Sequence, residues 1–313
     1  MSKGRVLITG GAGFLGSHLC DHYIDDFEVV AVDNMVTGSE DNIEHLSSNS
    51  NFTFVDHDIT MPLPDEVTEK KYDIILNMAC PASPPHYQRL ALETLEVGAV
   101  GVKNIIELAL RDNACFFHAS TSEVYGDPEV HPQTEEYWGS VNSYGPRSMY
   151  DESKRFAESL IYSYREKKGL NSVIGRIFNT YGPRMDKFDG RVVSNFINQA
   201  IDGEDLTVFG DGTQTRSFCY VSDLVNVIAL LVESEEEGPI NIGNPNEFTM
   251  LELAEVVRKV TKSDSKVVHK ELPGDDPKKR QPDITKARER LGWEPKVQLK
   301  EGLVKTAEYF GQA

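Results

Sequence analysis

Gly10-Gly-Ala-Gly-Phe-Leu-Gly16 decides the architecture of this chain. It follows an apolar run, Arg5–Thr9, and opens a stretch, Gly13–Tyr23, whose apolar residues recur at three-and-four spacing. Strand, glycine turn and helix in that order make a phosphate cradle. Gly10 permits the tight turn, Gly13 lets the backbone approach a pyrophosphate, and Gly16 lets helix and strand pack closely. Phe14 and Leu15 complete the turn. The helix start contributes unpaired N–H groups and the positive end of its dipole.

The next apolar run, Glu28–Val32, ends at Asp33. A carboxylate there accepts hydrogen bonds from adenosine ribose hydroxyls and repels a 2′-phosphate. The following Asn34-Met-Val-Thr-Gly-Ser-Glu40 has no Arg or Lys to offset that repulsion. NAD is therefore expected over NADP. Asp58-Ile59, past the run Phe52–Val55, is placed to flank the adenine, although Asp58 reads equally as a turn or capping residue.

Further out, short apolar runs alternate with helical periodicity. Strands are expected at Asp73–Asn77, Cys115–Ala119 and Ser172–Ile177, and helices at Gln88–Leu110 and Met149–Lys168. Alternation of this kind predicts right-handed crossovers and a doubly wound, Rossmann-type parallel α/β sheet. After about Gly182 the rhythm loosens. Helices are expected at Arg191–Ile201, Ser222–Val232, Met250–Val260 and Lys300–Phe310, with short strands at Thr207–Phe209 and Ile240–Ile242 and turns at Phe209–Thr213 and Leu272–Pro277. Residues 1–182 read as the NAD-binding domain, to which the chain returns around 210–245. Residues 183–313 read mainly as a smaller C-terminal substrate-binding lobe.

The 313 residues include 50 acidic and 32 basic side chains, a formal charge of −18. That balance opposes nucleic-acid and anionic-membrane binding. An anionic substrate must be held by a few specific basic residues. No apolar run reaches the roughly 18–20 residues that span a bilayer, and no secretory leader is evident, so a cytoplasmic protein is expected. Cys20, Cys80, Cys115 and Cys219 form no CxxC pair, and the eight His form no ligand cluster. No metal site is expected.

Tyr150-Asp-Glu-Ser-Lys154 sets a phenol and an ammonium four apart on one helix face. Moving a tyrosine from about 10 to near 7 takes roughly 4 kcal/mol, which Lys154 and a positive nicotinamide ring can supply. Tyr164 and Lys168 repeat the spacing on the same helix. Position separates the pairs. Ser120–Glu123 ends the fifth strand, where sheet ligands bind, and lies one loop before Tyr150. Tyr164 lies about four turns further along.

Together, Gly10–Gly16, Ser120–Gly126 and Tyr150–Lys154 resemble the extended short-chain dehydrogenases/reductases. More narrowly, the chain resembles the UDP-glucuronate decarboxylases among them, from Leu7 to Tyr309. The resemblance rests on Pro81-Ala-Ser-Pro-Pro85, Ser120–Pro132, Ile177–Met185, Asp189–Phe196, Gln214-Thr-Arg216, Asp276–Asp283 and Leu291-Gly-Trp-Glu-Pro295. It implies that Thr121 hydrogen-bonds the reacting C4 hydroxyl. Ser122 stands where the sugar dehydratases of the family carry an acid beside Glu123. Arg280 matches an arginine placed near the sugar carboxylate, and otherwise reads as part of a surface run, Lys278-Lys-Arg280.

For the diphosphate, the resemblance points to Asn179, Arg191 with its neighbour Val192, and Arg216. Pro81 to Pro85, with Ser83 inside it, reads as a loop lining the sugar pocket or simply as a turn. The implied reaction oxidises C4 of UDP-glucuronate with NAD, loses CO₂ from the 4-keto sugar, and returns the hydride to give UDP-xylose. Which of Ser122 and Glu123 handles the proton at C5 is open. The rivals are a UDP-glucuronate or UDP-hexose 4-epimerase and a non-catalytic NAD-binding protein. Gly98, Cys80 and Phe209 depart from the usual Asn, Ser and Tyr. The resemblance also implies a homodimer through the helices Gln88–Leu110 and Met149–Lys168.

Overall fold

The computed structural model describes residues 3–271 and 279–312. The turn expected at Leu272–Pro277 and the start of the Asp276–Asp283 motif lie outside the described residues. The first half runs β1 (Arg5–Thr9), α1 (Phe14–Tyr23), β2 (Glu28–Asp33), β3 (Phe52–Asp56), α2 (Asp65–Thr68) and β4 (Ile74–Asn77). It continues through α3 (Pro84–Arg89), α4 (Ala91–Glu96), α5 (Val102–Asp112), β5 (Cys115–Thr121), α6 (Ser148–Lys168) and β6 (Ser172–Ile177). Beyond these come β7 (Thr180–Tyr181), α7 (Val192–Asp202), β8 (Leu206–Phe209), β9 (Thr215–Ser217), β10 (Cys219–Tyr220), α8 (Val221–Val232) and β11 (Pro239–Ile242). The last elements are β12 (Glu247–Thr249), α9 (Met250–Thr261), β13 (Val267–Lys270), β14 (Lys279–Arg280), α10 (Thr285–Leu291) and α11 (Leu299–Gln312).

Seven strands form one all-parallel sheet in the order β11-β6-β5-β4-β1-β2-β3. β1 is buried along its whole length, as a strand covered on both faces must be. Its alternate side chains enter different cores. Val6 and Ile8 pack with Leu19, Leu224 and Ile228, whereas Leu7 packs with Ile75, Ile105, Phe116 and Ile161. The strand order reverses between β1 and β4, and a ligand crevice belongs at the carboxyl ends there.

The seventh strand, β11, comes from well past Gly182, and α8 packs on α1. The small sheets β10-β7, β12-β9-β14 and β13-β8 lie outside the main sheet. No helix among the described residues is long and apolar enough to cross a membrane.

One expected helix is differently built. Gln88–Leu110 is not a single rod. Helix begins earlier, at Pro84, because two prolines suit its first positions, and it breaks at Leu90 (φ −112°, ψ 47°). It resumes as α4, widens into a π turn over Val97–Gly101, and continues as α5. The widening coincides with a close helix crossing. A Cβ on Gly98 would stand 2.7 Å from the Ser153 Cβ of α6.

Candidate active site

A single cavity of about 1070 Å³ occupies the crevice, and every candidate residue from Gly10 to Arg280 contributes to its wall. At one end lies the glycine turn. Gly10 sits at φ +69°, and a Cβ there would stand 2.9 Å from the Ala79 backbone nitrogen. A Cβ on Gly16 would stand 2.0 Å from the Gly10 carbonyl oxygen. Gly13 is the N-cap of α1 and has no side chain to cap it, which leaves the first N–H groups for a ligand.

Asp33 ends β2 and accepts from the Ala12 and Met35 amides at 3.1 and 3.0 Å. Burial raises its carboxyl above the usual range despite those amides. Asp58 takes the turn role that the sequence allowed and also stands in the cavity wall. It lines the cavity beside Ile59 and also accepts from Thr60 N and Oγ1 at 2.9 and 2.7 Å and from Asn34 Nδ2 at 3.0 Å. Burial would raise its pKa, but these bonds hold it lower. A bare glycine turn, uncapped amides and a carboxylate at the second strand's end fit a dinucleotide.

At the middle of the crevice, β5 and the start of α6 meet. Lys154 Nζ donates to the Ala119 carbonyl at 2.8 Å and lies 5.9 Å from the Tyr150 ring centroid. Tyr150 is hydrogen-bonded to Thr121, and burial pushes its phenol above the ordinary value, Cys80 adding to the rise and Thr121 opposing it. Thr121 Oγ1 also accepts from Glu123 N at 3.2 Å, capping a 3₁₀ turn, Ser122–Tyr125. Tyr164 is elsewhere. It reaches Glu107 Oε1 at 3.3 Å and does not line the cavity.

At the far end, Glu123 Oε2 accepts from Arg147 at 2.7 Å and from Arg280 at 3.3 Å. Burial would raise Glu123, but the Arg280 and Arg147 charges outweigh it and hold the carboxyl below the usual range. Arg280 is 2% exposed, which corrects the alternative of a surface run. Its guanidinium donates to the Ser122 and Gly126 carbonyls, and its Nε has no hydrogen-bond partner. The strand pairing that sets Arg280 opposite Arg216 buries it.

Arg191 grips Asp189 with two nitrogens, Nε at 2.5 Å and a terminal nitrogen at 2.8 Å. Val192 begins α7 beside it. Arg216 donates to the Thr215 carbonyl at 2.9 Å, and the Asn179 carbonyl accepts from Cys219 N at 2.9 Å. Pro81 and Ser83 lead into α3, and the Ser83 hydroxyl is buried with no partner. Pro85 packs so tightly on Gly190 that a Cβ there would meet its Cγ at 2.6 Å. The segment is therefore cavity wall. Arg147, Arg184, Arg191, Arg216 and Arg280 all line the cavity, interleaved with carboxylates such as Glu123 and Asp189.

Several contacts had no sequence signal. Tyr87 stacks on Tyr150 with centroids 4.8 Å apart and planes 9° apart, and Arg147 lies 5.9 Å from the Tyr87 centroid. The Cys80 thiol is hydrogen-bonded with Lys154. Only Asp189 was foreshadowed, by its place in Asp189-Gly-Arg191.

A family profile described as GDP-mannose 4,6 dehydratase matches residues 7–306. UDP-glucuronic acid decarboxylase 6 of Arabidopsis thaliana is 53% identical over 311 residues, covering 99% of this chain and 89% of that protein. UDP-glucuronic acid decarboxylase 1 of Danio rerio is 51% identical, covering 98% and 73%. Among solved structures, UDP-glucuronic acid 4-epimerase from Bacillus cereus in complex with UDP-glucuronic acid and NAD superposes with a TM-score of 0.89 at 28% identity, covering 98% and 99%. UDP-glucose 4-epimerase from Thermotoga maritima gives 0.89 at 31%, covering 98% and 99%. The chain belongs to the GDP-mannose 4,6 dehydratase family of extended short-chain dehydrogenases/reductases.

Proposed function

We infer that this protein is a UDP-glucuronate decarboxylase that forms UDP-xylose and CO₂ with NAD regenerated in each cycle. The carrying observation is the cluster beside Tyr150: Ser122 in place of a dehydrating acid, and Glu123 held between Arg147 and the buried Arg280. The full-length similarity to UDP-glucuronic acid decarboxylases supports the same reading.

Gly10, Gly13, Phe14, Leu15, Gly16, Asp33, Asn34, Asp58 and Ile59 would hold NAD, with residues 1–182 and the returning segment near 210–245 forming its domain. Held there, NAD would supply a reversible hydride acceptor for C4. Tyr150 removes the C4 hydroxyl proton, Thr121 holds that hydroxyl, and Lys154 supplies positive charge to the phenolate. Asp189 fixes the Arg191 fork, which with Arg216 and Asn179 takes the diphosphate. Pro81, Ser83 and Val192 wall the sugar. Arg280 takes the carboxylate, and its partnerless Nε is a donor in want of an acceptor.

The exposed Leu92, Leu95 and Val100, with Phe156 and Tyr162 on α6, support a homodimer through these helices. Four unpaired cysteines support a cytoplasmic setting.

Proton NMR with UDP-glucuronate in D₂O tests the function. UDP-xylose deuterated at C5 is expected. A six-carbon product with inverted C4 would instead assign a 4-epimerase, the reading favoured by the superposition on the epimerase complex.

A further inference from the structure

Residues 182–191 join β7 to α7 with no helix or strand of their own, and Arg184, Met185, Asp186, Asp189 and Arg191 form part of the cavity wall. A surface connection of this kind is ordinarily held loosely. This one is pinned on two sides. Its first half is tied to α1, the helix whose start forms the phosphate cradle. His18 Nε2 donates to the Pro183 carbonyl at 3.0 Å, and Arg184 Nη1 lies 2.7 Å from Asp21 Oδ2. The other oxygen of Asp21 accepts from His45 Nε2 at 2.6 Å, on the 3₁₀ turn Glu44–Leu46. A Cβ on Gly182 would stand 3.6 Å from Phe14 Cε2, so the chain runs directly past the cradle. Its second half is tied to α3 and α7. His86 Nε2 stands 3.4 Å from Asp186 Oδ2, and Asn198 Nδ2 donates to the Lys187 carbonyl at 2.5 Å.

The two charged ties differ in strength. The Arg184 and Asp21 side chains are 18% and 33% exposed, so solvent screens their attraction less than it screens the tie to Asp186, which is 43% exposed. Arg184 also adopts φ +65°, a left-handed backbone that a side chain other than glycine takes up only when its surroundings hold it there. The contacts with α1 do so.

On the reading that NAD is regenerated in each cycle, no step of the reaction needs it to leave. We propose that residues 182–191 are a strap that retains NAD, and that the Arg184–Asp21 pair is the anchor that opens before the dinucleotide dissociates. Asp21 does not line the cavity, so it is a positioning residue that acts through Arg184. A sugar nucleotide held by Arg191 and Arg216, beyond the other end of the strap, leaves without breaking this anchor.

The test loads the protein with labelled NAD, adds excess unlabelled NAD and no sugar nucleotide, and follows the label retained. Asp21→Asn keeps the size of the side chain and removes its charge. It should release NAD about tenfold faster or more, with calorimetric affinity for UDP and melting of the NAD-free protein unchanged. Arg184→Gln should accelerate release as much, and the double variant no more than either single one, since both cut the same contact.

A parent-like release rate in Asp21→Asn overturns the strap. So does acceleration in Arg184→Gln alone, which would mean that Arg184 grips the dinucleotide itself. Faster release accompanied by an equal weakening of UDP binding would mark general loosening and overturn it as well. With no substrate present, these results are separate from the D₂O experiment. A protein that retains NAD through this anchor yet leaves the UDP-glucuronate carboxylate in place overturns only the function proposed above.

Discussion

Two demands pull on the phenol of Tyr150. In the proposed mechanism it must lose a proton to act as a base, yet burial stabilises the neutral form and pushes its pKa above the ordinary value. Thr121 opposes the rise in the protein alone, Lys154 Nζ stands 5.9 Å from the ring centroid, and the positive charge of a bound nicotinamide would lower the pKa further. Tyr150→Phe keeps the ring, its stack on Tyr87 and its packing, and removes only the proton-carrying oxygen. Turnover of UDP-glucuronate should drop by about 10²–10⁴, with binding of UDP-glucuronate and NAD by calorimetry nearly unchanged. Parent-like turnover would remove Tyr150 from the mechanism. The Tyr150–Lys154 pair was legible because the two lie on one helix. Tyr87 was not, since its stack depends on where α3 comes to rest against α6.

Among the elements, the crossing of the π turn with α6 is the tightest constraint near the site. The resemblance leads one to expect Asn at position 98, and the structure explains why Gly stands there opposite Ser153. Gly98→Asn should overpack the crossing and cost about 1–3 kcal/mol, lowering the melting temperature by several degrees. Removing the opposing Cβ should relieve the clash, so Gly98→Asn with Ser153→Gly should regain at least about 1 kcal/mol through positive coupling. Melting of the four variants measures that coupling. Equal losses in single and double mutants would show that the crossing is not limiting. Periodicity read this region as one helix because apolar spacing survives both the break at Leu90 and the wide turn.

At the scale of the whole molecule, α4, the π turn and α6 leave Leu92, Leu95, Val100, Phe156 and Tyr162 exposed. Leu92 is 77% and Tyr162 65% exposed. Pairing this face with a second copy would bury it. Leu92→Glu combined with Tyr162→Glu should convert a dimer of 35.0 kDa chains to monomer in size exclusion with light scattering. A parent that elutes as a monomer removes the dimer.

The sequence by itself determined the parallel α/β sheet, the glycine cradle, the acid at the end of β2 and the paired Tyr150 and Lys154. Each is a local pattern, set by spacing along one strand, turn or helix. Only the tertiary structure decided that Arg280 reaches across from β14 to Glu123, that Asp189 holds the Arg191 guanidinium by two nitrogens, and that Asp151 Oδ1 is buried without a partner. Charge alone would have left all three on the surface. They are buried because strand pairing and helix packing cover them and exclude water.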